Sequence, residues 1–428
     1  MKTVTFDYGK NGIKIRIDPS WNVTIIEPIT QKALINPIES LRIAIQNPLG
    51  GRLLEDIVRE KEKLESICIV VSDATRPVPS HLIIEAIVSE LEALGIESSL
   101  ITILIATGLH RSSNTEEAQR IVGKKYYNKV KVINHNAKDD NAHQQIGYLD
   151  DGTPISINTL FLTSDLKIIT GYVEPHFFFG FSGGAKAILP GIAGKETIMY
   201  NHSAKNIASP YSRFGIYEKN PMAEISSGIA KKIDIDFTVN VCINEKHQIS
   251  KALAGNLEKL HNELVLYQLE HVFKPLEKPF DIVVCGNGGY PLDINLYQAV
   301  KSMAIGEMAV KQGGTIISVN ECSDGIGVNQ DDFRDLLFSG LDPMDIYTKV
   351  LNKEIVVPDQ WEIQVLTRIM QKADIYVISS LKEHELGNIG LKYANNVENA
   401  VYEALKAHGN TAKILFLPHG PLVLPKII

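Results

Sequence analysis

Three apolar runs stand out in the first half of the chain, and each breaks off into an unusual polar sequence. Ser66-Ile-Cys-Ile-Val-Val-Ser leads into Asp73-Ala-Thr-Arg-Pro, Ser99 to Ala106 into Thr107-Gly-Leu-His-Arg, and Leu166-Lys-Ile-Ile-Thr into Gly171-Tyr-Val-Glu-Pro-His. Short, continuous, β-branched runs of this kind read as strands buried on both faces. Between the first two, Leu82, Ile83, Ala86, Ile87, Leu91 and Leu94 recur near a 3.6-residue period and predict a helix over 80–94. Weaker patterns predict helices over 37–46 and 116–122 and strands over 129–134 and 155–161. Strand and helix alternate, so the fold class is α/β with parallel strands. Ligands in open α/β sheets bind beyond the carboxyl ends of the strands. Arg76, His110 and His176 are therefore expected at one crevice.

Ahead of these runs, residues 1–35 carry short alternating stretches, including Thr3-Val-Thr-Phe, Ile13-Lys-Ile-Arg-Ile and Val23-Thr-Ile-Ile, which predict a small antiparallel element. Further on, the pattern predicts helices over 222–230 and 256–269 and a strand over 237–243. The segment Phe273-Lys-Pro-Leu-Glu-Lys-Pro is the best linker candidate. A second α/β unit follows, with strands at 281–286, 315–319, 375–379 and 413–417. Its helices are expected over 294–312, 331–339, 344–351, 360–372 and 397–407. The expected architecture is two α/β domains, 1–272 and 273–428, with the active site in the cleft between them.

Composition narrows the function classes. The 428 residues are 44% hydrophobic and 22% charged, as in ordinary globular proteins, and long enough for more than one domain. A net charge of -7 argues against nucleic acid as a main partner, because phosphate backbones call for a basic surface. No stretch has the apolar length of a signal peptide or a bilayer span, so neither membrane nor export is expected. The four cysteines, Cys68, Cys242, Cys285 and Cys322, form no zinc-type pair and suit a reducing cytoplasm.

The densest chemistry lies in 171–203, GYVEPHFFFGFSGGAKAILPGIAGKETIMYNHS, where Lys186 sits in a glycine-rich turn between His176 and His202. The P-loop fails here on spacing and on the hydroxyl missing after the lysine. Gly286-Asn-Gly-Gly-Tyr-Pro has proline where a dinucleotide fingerprint needs its third glycine. Ser182 matches GxSxG in letters only, since no strand runs directly into that turn. What remains is a set of side chains. His110 and His176 suit general acid–base chemistry near neutral pH, and Arg76 suits a carboxylate or phosphate clamp, or a salt bridge to Asp73. Lys186 suits a covalent anchor or an anion contact. His202 suits a metal, although a single histidine does not make a metal site. Tyr297 and Lys301 share a helix face, with Gln298 between them. Read this way, the residues leave several enzymes open, including nicotinamide- and pyridoxal-phosphate-dependent ones.

Taken together, SDATRP, TGLHR, PHFFFGFSGGAKAILPGIAG followed by NHS, and YQAVK resemble the nickel-pincer lactate racemase family over essentially the whole chain. The resemblance implies a nickel-pincer nucleotide, a pyridinium mononucleotide carrying thioamide and thiocarboxylate sulfur, covalently attached at Lys186. It implies His202 as the protein's nickel ligand, and His110 and His176 as alternating base and acid. Arg76, Gln298, Lys301 and, less directly, Tyr297 and Trp361 would hold the substrate, while Asp73 and Thr75 would lie near the cofactor or the arginine. The implied reaction is racemisation of a small 2-hydroxy acid, lactate first, by proton-coupled hydride transfer through a transient 2-keto acid. Phe177, Phe178 and Phe179 suggest an apolar wall for a small side chain. The resemblance also admits a larger 2-hydroxy acid or a sugar acid, or a protein that carries the nickel cofactor without turnover. Cofactor-biosynthesis enzymes are the implied partners.

Overall fold

The computed structural model describes residues 2–328 and 330–428, which divide into two compact units: 30–269, and 2–29 with the described residues of 270–428. The sequence places a boundary at 272/273, whereas this division puts the first 29 residues with the C-terminal unit.

In the unit Thr30–Leu269 a six-stranded sheet runs in the order Ile249–Gly255, Phe237–Ile243, Leu166–Tyr172, Ile67–Ser72, Ile101–Ala106, Lys131–Asn134. All neighbours are parallel except the first pair. The three strands read from the apolar runs are thus adjacent, with their carboxyl ends on one edge. The Ile67 strand shows why it is apolar throughout. Ile67, Ile69 and Val71 face a core shared with Ile83, Ile87 and Leu91 of the helix Ser80–Ala93. Cys68 and Val70 face a second core with Ile188, Leu189, Ile192 and Ala193. Each such side chain contributes roughly 1.5–3 kcal/mol on burial. The segment carrying Lys186 is therefore held to the sheet by the apolar residues that follow the lysine.

The other unit has a six-stranded, all-parallel sheet in the order Lys392–Tyr393, Ala373–Ile378, Val310–Val319, Phe280–Gly286, Lys413–Leu417, Asn22–Ile25. Three sequence expectations change here. Lys2–Phe6 and Ile13–Ile17 do pair antiparallel, but Asn22–Ile25 joins the edge of the parallel sheet. The expected linker contains the strand Phe273–Leu276, paired with Leu424–Ile427. The helix read over 294–312 ends at Glu307, and a strand starts at Val310. In doubly wound sheets the nucleotide crevice opens where the strand order reverses, here between Phe280–Gly286 and Lys413–Leu417. Residues 7–9 bond across that point. Asp7 N donates to the Pro418 carbonyl (3.0 Å), Tyr290 N to the Gly9 carbonyl (2.9 Å), and Gly9 N to Asp293 Oδ2 (2.7 Å).

Among the described residues no helix is long and apolar enough to cross a membrane. The four cysteines are buried and unpaired by disulfides.

Candidate active site

The sequence-predicted residues form one cluster in each unit. In Thr30–Leu269 the cluster is built at the carboxyl edge of the sheet. Asp73, at the end of the Ile67 strand, accepts from Thr75 N (2.9 Å) and Thr75 Oγ1 (2.6 Å) through Oδ1. That tight turn aims Oδ2 at His110 Nδ1, 2.7 Å away. Burial pushes the Asp73 carboxyl up, but the bond and charge of His110, the nearby Arg76 and the Thr75 hydroxyl together hold it below the usual carboxylate value. The result is an ionised carboxylate receiving Nδ1–H, which leaves the lone pair of a neutral His110 on Nε2. The His110 side chain is 49% exposed while that of Asp73 is 5% exposed, so the imidazole is accessible and its partner is not. Of the two sequence readings of Asp73, a pair with Arg76 or a place near the site, the structure shows His110 as the direct partner, with Arg76 acting through space.

The loop bearing His110 is pinned at several points. Thr107 Oγ1 donates to the His135 carbonyl (2.6 Å), and Gly108 N donates to the Gly191 carbonyl (3.0 Å). His135 Nε2 in turn lies 3.0 Å from the Ala193 carbonyl. The histidine loop and the segment after Lys186 are thereby tied together.

His176 closes a two-residue hairpin, Pro175–His176 against Gly180–Phe181. Phe179 N donates to His176 Nδ1 (3.3 Å), which places the ring proton of neutral His176 on Nε2. The three phenylalanines expected to form an apolar wall are all buried. Phe178 meets the rings of both His176 (4.6 Å) and His202 (5.6 Å) edge-on, and Lys186 Nζ lies 4.5 Å above the Phe179 ring. They form the bed on which the two histidines and the lysine rest.

His202 caps the helix Lys195–Asn201, and its Nδ1 lies 3.1 Å from the Ile198 carbonyl. Burial, then the charge of Lys186, then that of His110 push its pKa down to about 3 against the Ile198 bond. The ring is neutral, with Nδ1 protonated and the lone pair on Nε2. Lys186 and His110 are near enough for their charges to act on His202. Ser182 is a structural residue, since its Oγ accepts from Glu174 N (3.0 Å) and donates to the Tyr172 carbonyl (2.9 Å).

The second cluster lies on the helix Leu296–Glu307. Asn295 caps it by accepting from Gln298 N (2.9 Å), and Lys301 Nζ donates to Gln298 Oε1 (2.6 Å). Tyr297 is buried rather than on a solvated face. Burial first, then the charges of Glu362 and Asp359, push its hydroxyl well up, and it hydrogen-bonds Trp361 and Asp359. Trp361 thus joins Tyr297, Gln298 and Lys301. Sequence reasoning passed over Glu362, the neighbour of Trp361. Burial and the charge of Asp359 push its carboxyl up to about 8 against the opposing charge of Lys301. The available signal was an acidic residue one position before the apolar Ile363 of an otherwise amphipathic helix.

Asn240, His261 and His135 were also passed over. Each is an ordinary residue in its own sequence context, and each bonds a partner far along the chain.

Comparison with known proteins gives a consistent picture. The chain matches the family model of the lactate racemase N-terminal domain over residues 8–215 and that of the lactate racemase C-terminal domain over 276–424. It is 34% identical to the lactate racemase of Thermoanaerobacterium thermosaccharolyticum over 429 residues, covering 99% of each chain. It is also 34% identical to the lactate racemase of Lactiplantibacillus plantarum over 431 residues, covering 100% of each. The structure of the lactate racemase apoprotein from T. thermosaccharolyticum superposes with a TM-score of 0.90 over 99% of this chain and 100% of that one. A Thermotoga maritima protein, 20% identical with a TM-score of 0.66 over 91% of this chain and 98% of its own, shares the fold.

Proposed function

The chain belongs to the lactate racemase family, and on that premise we propose that it is a racemase interconverting the enantiomers of a 2-hydroxy acid, lactate being the first substrate to try. The observation that carries the reading is the Asp73–His110 pair (2.7 Å) at the sheet edge that also holds Lys186 and His202.

The residues present fit a nickel-pincer nucleotide. Among the described residues no group of three or more histidines, cysteines or acids is placed to hold a metal. A metal here would take most of its donors from an organic group. His202 suits the remaining position, because a neutral imidazole with Nδ1–H bonded to a backbone carbonyl has Nε2 set for a metal. Lys186 would be the covalent anchor, loaded with cofactor made by other enzymes. When bound, the group supplies a hydride acceptor, which no side chain offers.

The chain's own residues do the rest. His110, oriented by Asp73, takes the hydroxyl proton at Nε2, and Asp73 stabilises the imidazolium that forms. His176 serves the opposite enantiomer and exchanges roles with His110 as direction reverses; as base it takes the proton at Nε2 in the tautomer with Nδ1–H, which gives up the long 3.3 Å bond from Phe179 N. General acid–base catalysis of this kind is worth about 10²–10⁴ in rate. Arg76 holds the substrate carboxylate through its fork of donors, and Gln298, Lys301, Tyr297 and Trp361 form the second substrate-holding set. His110→Ala and His176→Ala should each abolish interconversion of D- and L-lactate while the adduct at Lys186 still forms. Racemisation retained by either variant refutes the acid–base pair.

A further inference from the structure

The Gly183–Gly184 turn just before Lys186 is held from outside by two buried side chains with no part in the chemistry above. Both glycines have left-handed backbones, φ +75 and +55. A Cβ on Gly183 would meet the Tyr172 carbonyl, Val173 Cγ2 and Asn240 Oδ1 at 2.8–2.9 Å, and one on Gly184 would lie 2.5–3.0 Å from ring atoms of His261. Asn240, in the strand Phe237–Ile243, accepts from Gly184 N through Oδ1 at 3.0 Å. His261, on the helix Leu257–Val272, sits with Nε2 3.0 Å from the Ser182 carbonyl, and Tyr217 packs on its ring at 4.9 Å between centroids. A carbonyl only accepts, so Nε2 is the donor.

Neither residue is spent economically. Asn240 Nδ2 and His261 Nδ1 are buried and have no hydrogen-bond partner among the described residues. An unpartnered buried polar atom is unfavourable, and an apolar residue of similar size would avoid it. What the fold gains from an amide and an imidazole here is the bond each makes to the turn.

We infer that Asn240 and His261 are positioning residues that lock the Ser182–Gly184 backbone and so present Lys186 over the Phe179 ring for attachment of the cofactor. The inference rests on Lys186 being the anchor. Without the two bonds, a turn containing two glycines has other conformations open to it, and the amine leaves the place where the cofactor meets it.

The test is the rate at which purified apoprotein gains the mass of mature nickel-pincer nucleotide, with peptide mapping of the adduct. His261→Phe and Asn240→Leu should load Lys186 about tenfold more slowly than the parent, the rate equivalent of losing one well-made hydrogen bond. His261→Gln and Asn240→Asp, which keep the donor and the acceptor, should load within about threefold of it. Circular dichroism and thermal unfolding of the apoproteins separate a misplaced lysine from a misfolded chain. If an apolar variant does not fold, Gly184→Ala reads the same template, because the three nearest neighbours of its methyl would all be atoms of the His261 ring. Parental loading rates in His261→Phe and Asn240→Leu, or in Gly184→Ala, overturn the inference and leave the anchor standing. An adduct mapped to another residue in the parent protein removes the anchor instead.

Discussion

His135 offers a sharp test of how the histidine loop and the lysine segment are held together. It is buried, with Nε2 on the Ala193 carbonyl (3.0 Å) and Nδ1 facing Asn158 Nδ2 (3.2 Å). Asn158 Oδ1 is already accepting from Leu160 N, so its amide group must be the donor to Nδ1. Protonating Nδ1 would set two donors against each other. Burial first, with the nearby His143 adding to it and the Ala193 bond opposing, pushes the pKa down to about 4 from 6.5. Between those values the unfolded chain takes up a proton that the folded chain refuses. The stabilisation is therefore complete above pH 6.5 and is lost as pH falls toward 4. Going from pH 7 to pH 5 costs about 2 kcal/mol at this residue, roughly a 30-fold rise in the opening constant. His135→Gln keeps an amide donor for Ala193 but does not titrate, so its stability should fall less over the same interval by about that amount. Hydrogen exchange of peptides covering residues 188–198, corrected for the intrinsic pH dependence, reads the difference directly. Equal pH dependence in parent and variant, or a His135 resonance titrating near 6.5, refutes the reasoning.

Other outcomes follow from the same geometry. Asp73→Asn removes the anion that orients His110 and should lower kcat for lactate racemisation by about 10²–10⁴, with adduct formation at Lys186 unchanged; an unaltered kcat excludes the pair from catalysis. His202→Gln should release nickel on dialysis while the adduct mass at Lys186 persists, as elemental analysis of the loaded protein will show. Glu362 is held neutral by burial, with a pKa of about 8. Its stabilisation is present below about pH 4.5 and lost as pH rises through 8, so Glu362→Gln should flatten the fall in stability between about pH 5 and 8; an unchanged fall places the titrating group elsewhere.

Much of this was legible in the chain itself. The runs ending at Ser72, Ala106 and Thr170 are mostly apolar because each strand is covered on both faces, and such strands lie side by side in a parallel sheet. The polar residues after them could then only gather at one edge, so Arg76, His110 and His176 were expected as a group before any coordinate. Elements with weak or short patterns fared differently. Asn22–Ile25 is four residues long, and its alternation fits either an antiparallel neighbour or the parallel edge it actually joins. Phe273-Lys-Pro-Leu reads as a linker because proline demotes a strand, yet it pairs with Leu424–Ile427 as a two-stranded ribbon outside either large sheet.

The sequence by itself determined the α/β class and the family. Periodicity and motif spacing are local properties, and those features are written locally. Only the tertiary structure decided that residues 7–9 bond across the point where the strand order of the second sheet reverses, that Asp73 orients His110, and that Asn240, His261 and His135 brace the backbone around Lys186. Those partners lie tens of residues apart or more. A buried donor must find an acceptor wherever the fold brings one, and no window along the chain contains both.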